Sequence, residues 1–116
     1  MNDPNCLFCK ISAGDIDADL VYESHNVFAF RDINPQAPTH VLIIPRRHIA
    51  TINDIQVSDA EEVGQLFAAA SVIAKQEGVY EAGYRVTMNC NEGAGQSVFH
   101  LHLHLLGGRR FSWPPG

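Results

Sequence analysis

Two short apolar runs, Leu20 to Glu23 and Val27 to Arg31, are parted by the polar Ser24-His25-Asn26. That spacing predicts two strands joined as a hairpin. Asn34-Pro35 and Ala37-Pro38 then interrupt regular structure. His40 to Ile44 (His-Val-Leu-Ile-Ile) is rich in branched apolar residues and stops at Pro45, as a buried strand does. Further on the period changes. Val63, Leu66, Phe67, Ala70, Ile73 and Ala74 recur at helical spacing and define one apolar face. Ser58 with Glu61 forms a capping box, Asp59, Glu61 and Glu62 complement the helix dipole, and Gly78 supplies the stop. Cys6 to Ser12 reads as a short helical turn ending near Gly14. Two more strands, roughly Tyr84 to Asn89 and Phe99 to Leu106, flank the polar loop Asn91-Glu92-Gly93-Ala94-Gly95-Gln96-Ser97. The expected fold is α+β, an antiparallel sheet with one long helix against a face and one short helix.

Composition narrows the class without changing that picture. A chain of 116 residues, 46% hydrophobic and 18% charged, suits one globular domain, 1–116, with 107–116 as a Pro-rich tail. A net charge of −5 argues against a partner that is a nucleic-acid polymer, which calls for a basic stripe. It leaves room for a mononucleotide, whose charge backbone amides can meet locally. No stretch is apolar and long enough to span a membrane, and the first residues lack the basic and apolar regions of a signal peptide. The three cysteines, an odd count, suit a reducing cytoplasm better than a disulfide scaffold.

The chemistry concentrates in His100-Leu101-His102-Leu103-His104-Leu105. On a strand, residues two apart share a face, so the leucines point to the core and three imidazoles point away. With a rise of about 3.3 Å per residue, the first and third imidazoles root ~13 Å apart. One zinc needs its ligands far closer than that, so at least one histidine has another task. A neutral imidazole is a competent nucleophile for phosphoryl chemistry, provided one ring nitrogen stays free. Gly93 and Gly95 let backbone amides approach an anion, and Gln96 and Ser97 add side-chain donors beside the first histidine.

Gln96-Ser97-Val98-Phe99-His100-Leu101-His102-Leu103-His104-Leu105-Leu106 resembles the signature of the histidine triad (HIT) family, His-φ-His-φ-His-φ-φ with φ apolar. Arg31 to His40, Gly107-Gly108-Arg109-Arg110 and Trp113-Pro114-Pro115-Gly116 are similar to its Hint branch. That resemblance implies a HIT-like fold of about five strands, joined into a larger sheet across a homodimer. It implies an enzyme that splits the P–N bond of purine nucleoside 5′-phosphoramidates, with His102 as nucleophile and a nucleotidyl-histidine intermediate. His104 and Ser97, with Gln96 beside them, match phosphate or leaving-group contacts, and His40 matches a fourth histidine of the site. Asp32 matches the carboxylate that binds both ribose hydroxyls. Phe8, Ile11, Phe30 and Ile33 match the apolar walls around the base, and Val98 a further nucleotide-binding position. Asn89 and Gly95 match the sugar–phosphate region, and Trp113 a tail residue directed toward the other subunit's site. Other readings on the same scaffold are a dinucleotide polyphosphate hydrolase, a nucleotidyl transferase, or a nucleotide-binding regulatory module.

Cys6-Leu7-Phe8-Cys9 has the spacing of a zinc half-site. The resemblance extends it to Cys6, Cys9, His48 and His100 around a structural zinc. That leaves His102 and His104 free, and the phosphoryl chemistry needs no further cofactor.

Overall fold

The computed structural model describes residues 3–116. Its short helix α1 is Leu7–Ser12 and its long helix α2 is Ala60–Gln76. The strands are β1 (Leu20–Glu23), β2 (Val27–Arg31), β3 (Thr39–Pro45), β4 (Tyr84–Thr87) and β5 (Leu103–Gly107). They form one antiparallel sheet in the order β1-β2-β3-β5-β4. β3 lies at the centre and is buried along its whole length, which explains its unbroken apolar run.

The period of two along the strands divides the core into two layers. Val27, Ala29, Val41, Ile43, Leu103 and Leu105 face α2 and meet Leu66, Ala69, Ala70, Ile73 and Ala74. Phe28, Phe30, Leu42 and Ile44 face the other way and meet Cys6, Phe8 and Cys9 of the α1 segment. The histidine face of β5 therefore lies on the α1 side. A helix of six residues covers little of it.

Four details differ from the sequence expectation. The β5 ladder begins at Leu103 rather than Phe99, because the antiparallel register that pairs Ile43 with Leu103 next reaches Pro45, which has no N–H to donate. The segment before it is tied instead by the Leu101 N–H to the Ile49 carbonyl, at 2.7 Å. β4 correspondingly ends at Thr87, opposite His104, and not at Asn89. No Ser58 capping box forms. Two 3₁₀ turns, Ile52–Asp54 and Val57–Asp59, precede α2, and the Asp59 carboxylate accepts the Gln56 N–H and pairs with Arg47. Phe67, expected on the apolar face, is 52% exposed, and Ala69 packs inward in its place.

Candidate active site

The three histidines share a face but separate into three settings. His100 is fully buried against α1. Its Nε2 lies 2.7 Å from the Pro45 carbonyl oxygen, an acceptor, so Nε2 carries the proton and Nδ1 keeps its lone pair. That Nδ1 lies 3.2 Å from Cys6 Sγ, 3.5 Å from Cys9 Sγ and 3.2 Å from His48 Nδ1, and Cys9 Sγ lies 3.4 Å from His48 Nδ1. Tetrahedral zinc with nitrogen and sulfur ligands sets them about 3.3–3.8 Å apart, close to these spacings. The carbonyl-anchored Nε2–H is the usual companion of a metal-bound imidazole. Cys6, Cys9, His48 and His100 thus fit a structural zinc. Burial raises the Cys9 thiol above its ordinary range, so metal binding there must release a proton.

His102 holds its Nδ1 2.7 Å from the His100 carbonyl oxygen. Nδ1 must donate there, so the neutral ring presents an unprotonated Nε2. Burial lowers its basicity and the His100 carbonyl partly offsets that.

His104 belongs to a second chain of bonds. The Gln36 N–H donates to His40 Nδ1 at 3.0 Å, so the His40 proton sits on Nε2. That Nε2 lies 2.9 Å from His104 Nδ1, which accepts, and His104 carries its own proton on Nε2. Two neighbouring rings, with centroids 5.1 Å apart, therefore present opposite functions: a lone pair on His102 Nε2 and a proton on His104 Nε2. Asp32, His40 and His104 also bring possible ligand atoms within 4.8 Å of one another. The donor pattern opposes a metal there, because a neutral His40 that accepts at Nδ1 cannot ligate through Nε2. This group is a hydrogen-bond relay.

Burial is the first cause of the low basicity of His40 and His104, with His104 pushed down to about 4. In the unfolded chain histidine titrates near 6.5, so the unfolded state takes up protons first as pH falls. Stability is therefore full above about pH 6.5 and declines toward pH 4. Urea midpoints at several pH values check this: the wild type should lose stability across that window, and His104→Gln should flatten the slope.

The remaining site residues are placed unequally. Asp32 sits at the end of β2, half-buried, with Oδ1 accepting the Asn34 N–H at 2.9 Å and Oδ2 3.5 Å from His40 Nε2. Phe8 packs edge-on against Phe30, with centroids 5.7 Å apart, and Ile11 and Val98 border the same cluster. Ile33 stands 99% exposed and Trp113 82% exposed. Asn89 is half-buried beyond β4, and Ser97 is exposed. Gly95 closes the loop at φ +92, which only glycine adopts without strain. Gln96 lies beneath the loop rather than on it. Its Oε1 accepts the Asn91 N–H at 2.7 Å, and its Nε2 donates to the Ala50 and Val98 carbonyls. Sequence reasoning asks for a backbone carbonyl at the second nitrogen of His102, which His100 supplies, but it identifies none of Pro45 O, His100 O and Gln36 N, since any residue type supplies them.

The HIT domain family matches residues 13–111. The chain belongs to the HIT family. It is 50% identical over 103 residues to the purine nucleoside phosphoramidase of Escherichia coli K12, covering 89% of this chain and 87% of that protein. It is 48% identical to the 14 kDa zinc-binding protein of Zea mays over 118 residues, covering 100% of this chain and 91% of the other. A HIT family hydrolase from Legionella pneumophila superposes with a TM-score of 0.94 at 57% identity, covering 97% of this chain and 100% of its own. With such relatives the chain is an enzyme of the hydrolase class. No helix among the described residues is long and apolar enough to cross a membrane.

Proposed function

We propose that this HIT enzyme hydrolyses the P–N bond of purine nucleoside 5′-phosphoramidates by double displacement at His102. The observation that carries the reading is the His102 Nδ1 to His100 carbonyl bond, which leaves Nε2 as the free nucleophile. Nε2 attacks the α-phosphorus and the P–N bond breaks. Its electron pair leaves on the amine nitrogen, which takes a proton from solvent, while His104 Nε2–H donates a hydrogen bond to the phosphate and keeps its proton. Water then attacks the phosphorus of the nucleotidyl-histidine and loses a proton to solvent, the N–P bond breaks with its electron pair returning to His102 Nε2, and AMP or GMP departs. The His40–His104 bond fixes the tautomer that makes His104 Nε2–H a hydrogen-bond donor to the charge developing on the phosphate. Phe8, Ile11, Phe30, Ile33 and Val98 receive the base, while Ser97, Asn89 and the Gly95 loop meet the sugar–phosphate. Gln96 holds that loop in shape.

The same reading makes the enzyme a cytoplasmic homodimer. β4 is an edge strand, and Phe67 and Trp113 are large exposed apolar side chains that lack cover in one copy. Asp32 accepts both ribose hydroxyls in this scheme. Asp32→Asn should therefore raise the AMP dissociation constant by about tenfold, since a hydrogen bond to a charged group contributes about 1.5–3 kcal/mol. Isothermal titration with AMP and with its 2′,3′-dideoxy analogue checks this, because the analogue should bind both proteins alike.

The decisive assay supplies adenosine 5′-phosphoramidate to the purified protein and follows AMP release, with a diadenosine polyphosphate alongside. Turnover of the phosphoramidate supports the reading. Binding of AMP without turnover, or turnover of the polyphosphate alone, overturns it.

A further inference from the structure

The zinc-type cluster and the nucleophile are joined through one residue. His100 presents Nδ1 to Cys6, Cys9 and His48, and the carbonyl of the same residue holds His102 Nδ1 at 2.7 Å. The His100 ring has one further anchor, the Pro45 carbonyl. A second link runs through α1. Phe8 lies between Cys6 and Cys9 in the chain, and its ring meets His102 edge-on with centroids 5.1 Å apart at 89°. It also meets the His100 ring at 5.9 Å. The two contacts fix the His102 ring from its Nδ1 edge and from one side.

The cluster is open on one flank. Cys6 and His48 line a cavity of about 280 Å³ together with Ser97, Val98 and Phe99. Two of the four ligands thus border open space on the side of the sheet away from the α2 core.

We infer that the metal centre is a positioning device for the nucleophile: with Cys6, Cys9, His48 and His100 ligated, His102 is held in its Nδ1–H tautomer, and losing the metal releases it. His100 is the positioning residue, acting through its carbonyl, and Phe8 is the second lever. The enzyme's activity then responds to available zinc even under conditions where the chain stays folded. This rests on His102 as the nucleophile of the proposed function.

The test titrates the whole protein with buffered zinc at a temperature where circular dichroism shows it folded throughout. Three quantities are followed: zinc content, the ¹⁵N shifts of the His102 ring, and kcat on adenosine 5′-phosphoramidate. Zinc-free folded protein should show a mixture of His102 tautomers and a kcat lower by roughly 10- to 100-fold. His48→Ala, which weakens zinc binding, should move the tautomer and kcat curves together to higher free zinc. A folded, zinc-free protein with one tautomer and undiminished kcat would overturn the inference. So would zinc loss that unfolds the chain at every temperature, because the metal would then hold up the fold rather than the ring. A tautomer that tracks zinc in a protein inert toward phosphoramidate would support the coupling and overturn the substrate reading.

Discussion

His102→Asn should lower kcat on adenosine 5′-phosphoramidate by about 1,000-fold or more while AMP affinity stays within a few-fold. The asparagine amide can still donate to the His100 carbonyl and fill part of the space beside Phe8, so the local frame survives. What it lacks is a nitrogen lone pair able to attack phosphorus. An amide nitrogen is delocalised into its carbonyl, and no neighbouring base can restore its nucleophilicity. Because the ring is only partly buried and faces away from the α2 core, stability should change little. Rapid-quench measurement adds a second readout: the wild type should accumulate a nucleotidyl-enzyme species in its first turnover and the variant none. A variant that keeps a tenth of the wild-type rate would assign the attack to another group, and His104 would be the first to examine.

How far the sequence revealed this site depends on whether a feature is local or made by partners distant in the chain. The Leu–His alternation was legible, because period two dictates facing even where no ladder forms, as at His100 and Leu101. The ladder's start was not, because it is set by Pro45 across the sheet rather than by Phe99. Phe67 sits at the margin of the helical stripe, where periodicity alone leaves inside and outside undecided. Gln96 follows two glycines in a polar loop and reads as ligand-facing. Its amide instead reaches the Ala50 carbonyl, 46 residues away, a contact no local pattern encodes. His40 and His104 are 64 residues apart, and only the β3–β5 register brings them together. The tautomers on which the chemistry depends come from backbone atoms at Pro45, His100 and Gln36. Side-chain identity carries no record of them, so the sequence marks the histidines and the fold sets which nitrogen of each keeps its lone pair.

Cys6→Ser should lower stability by several kcal/mol, and the choice of serine makes the result diagnostic. Cys6 is the N-cap of α1, with its sulfur 3.4 Å from the Cys9 N–H. As a cap alone, serine is the better residue, and the exchange would be neutral or stabilising. As a zinc ligand, serine is a poor substitute, since thiolate is the soft donor the metal favours. The helix it starts has six residues and no acidic residue in its first turn, too little to stand unaided. Its hold on the sheet combines Phe8 and Cys9 packing with the ligand set shared with His48 and His100. Where free zinc stands 1,000-fold above its dissociation constant, that binding contributes about 4 kcal/mol. Losing it should lower Tm by roughly 10–20 °C in a chain of this size. Metal analysis and a melting curve, each with and without chelator, check the assignment. The wild type should fall toward the variant when chelated, and the chelator should leave the variant unmoved. A Cys6→Ser protein that melts at or above the wild-type temperature in excess zinc would reduce Cys6 to a helix cap and return His100 Nδ1 to a hydrogen-bonding role.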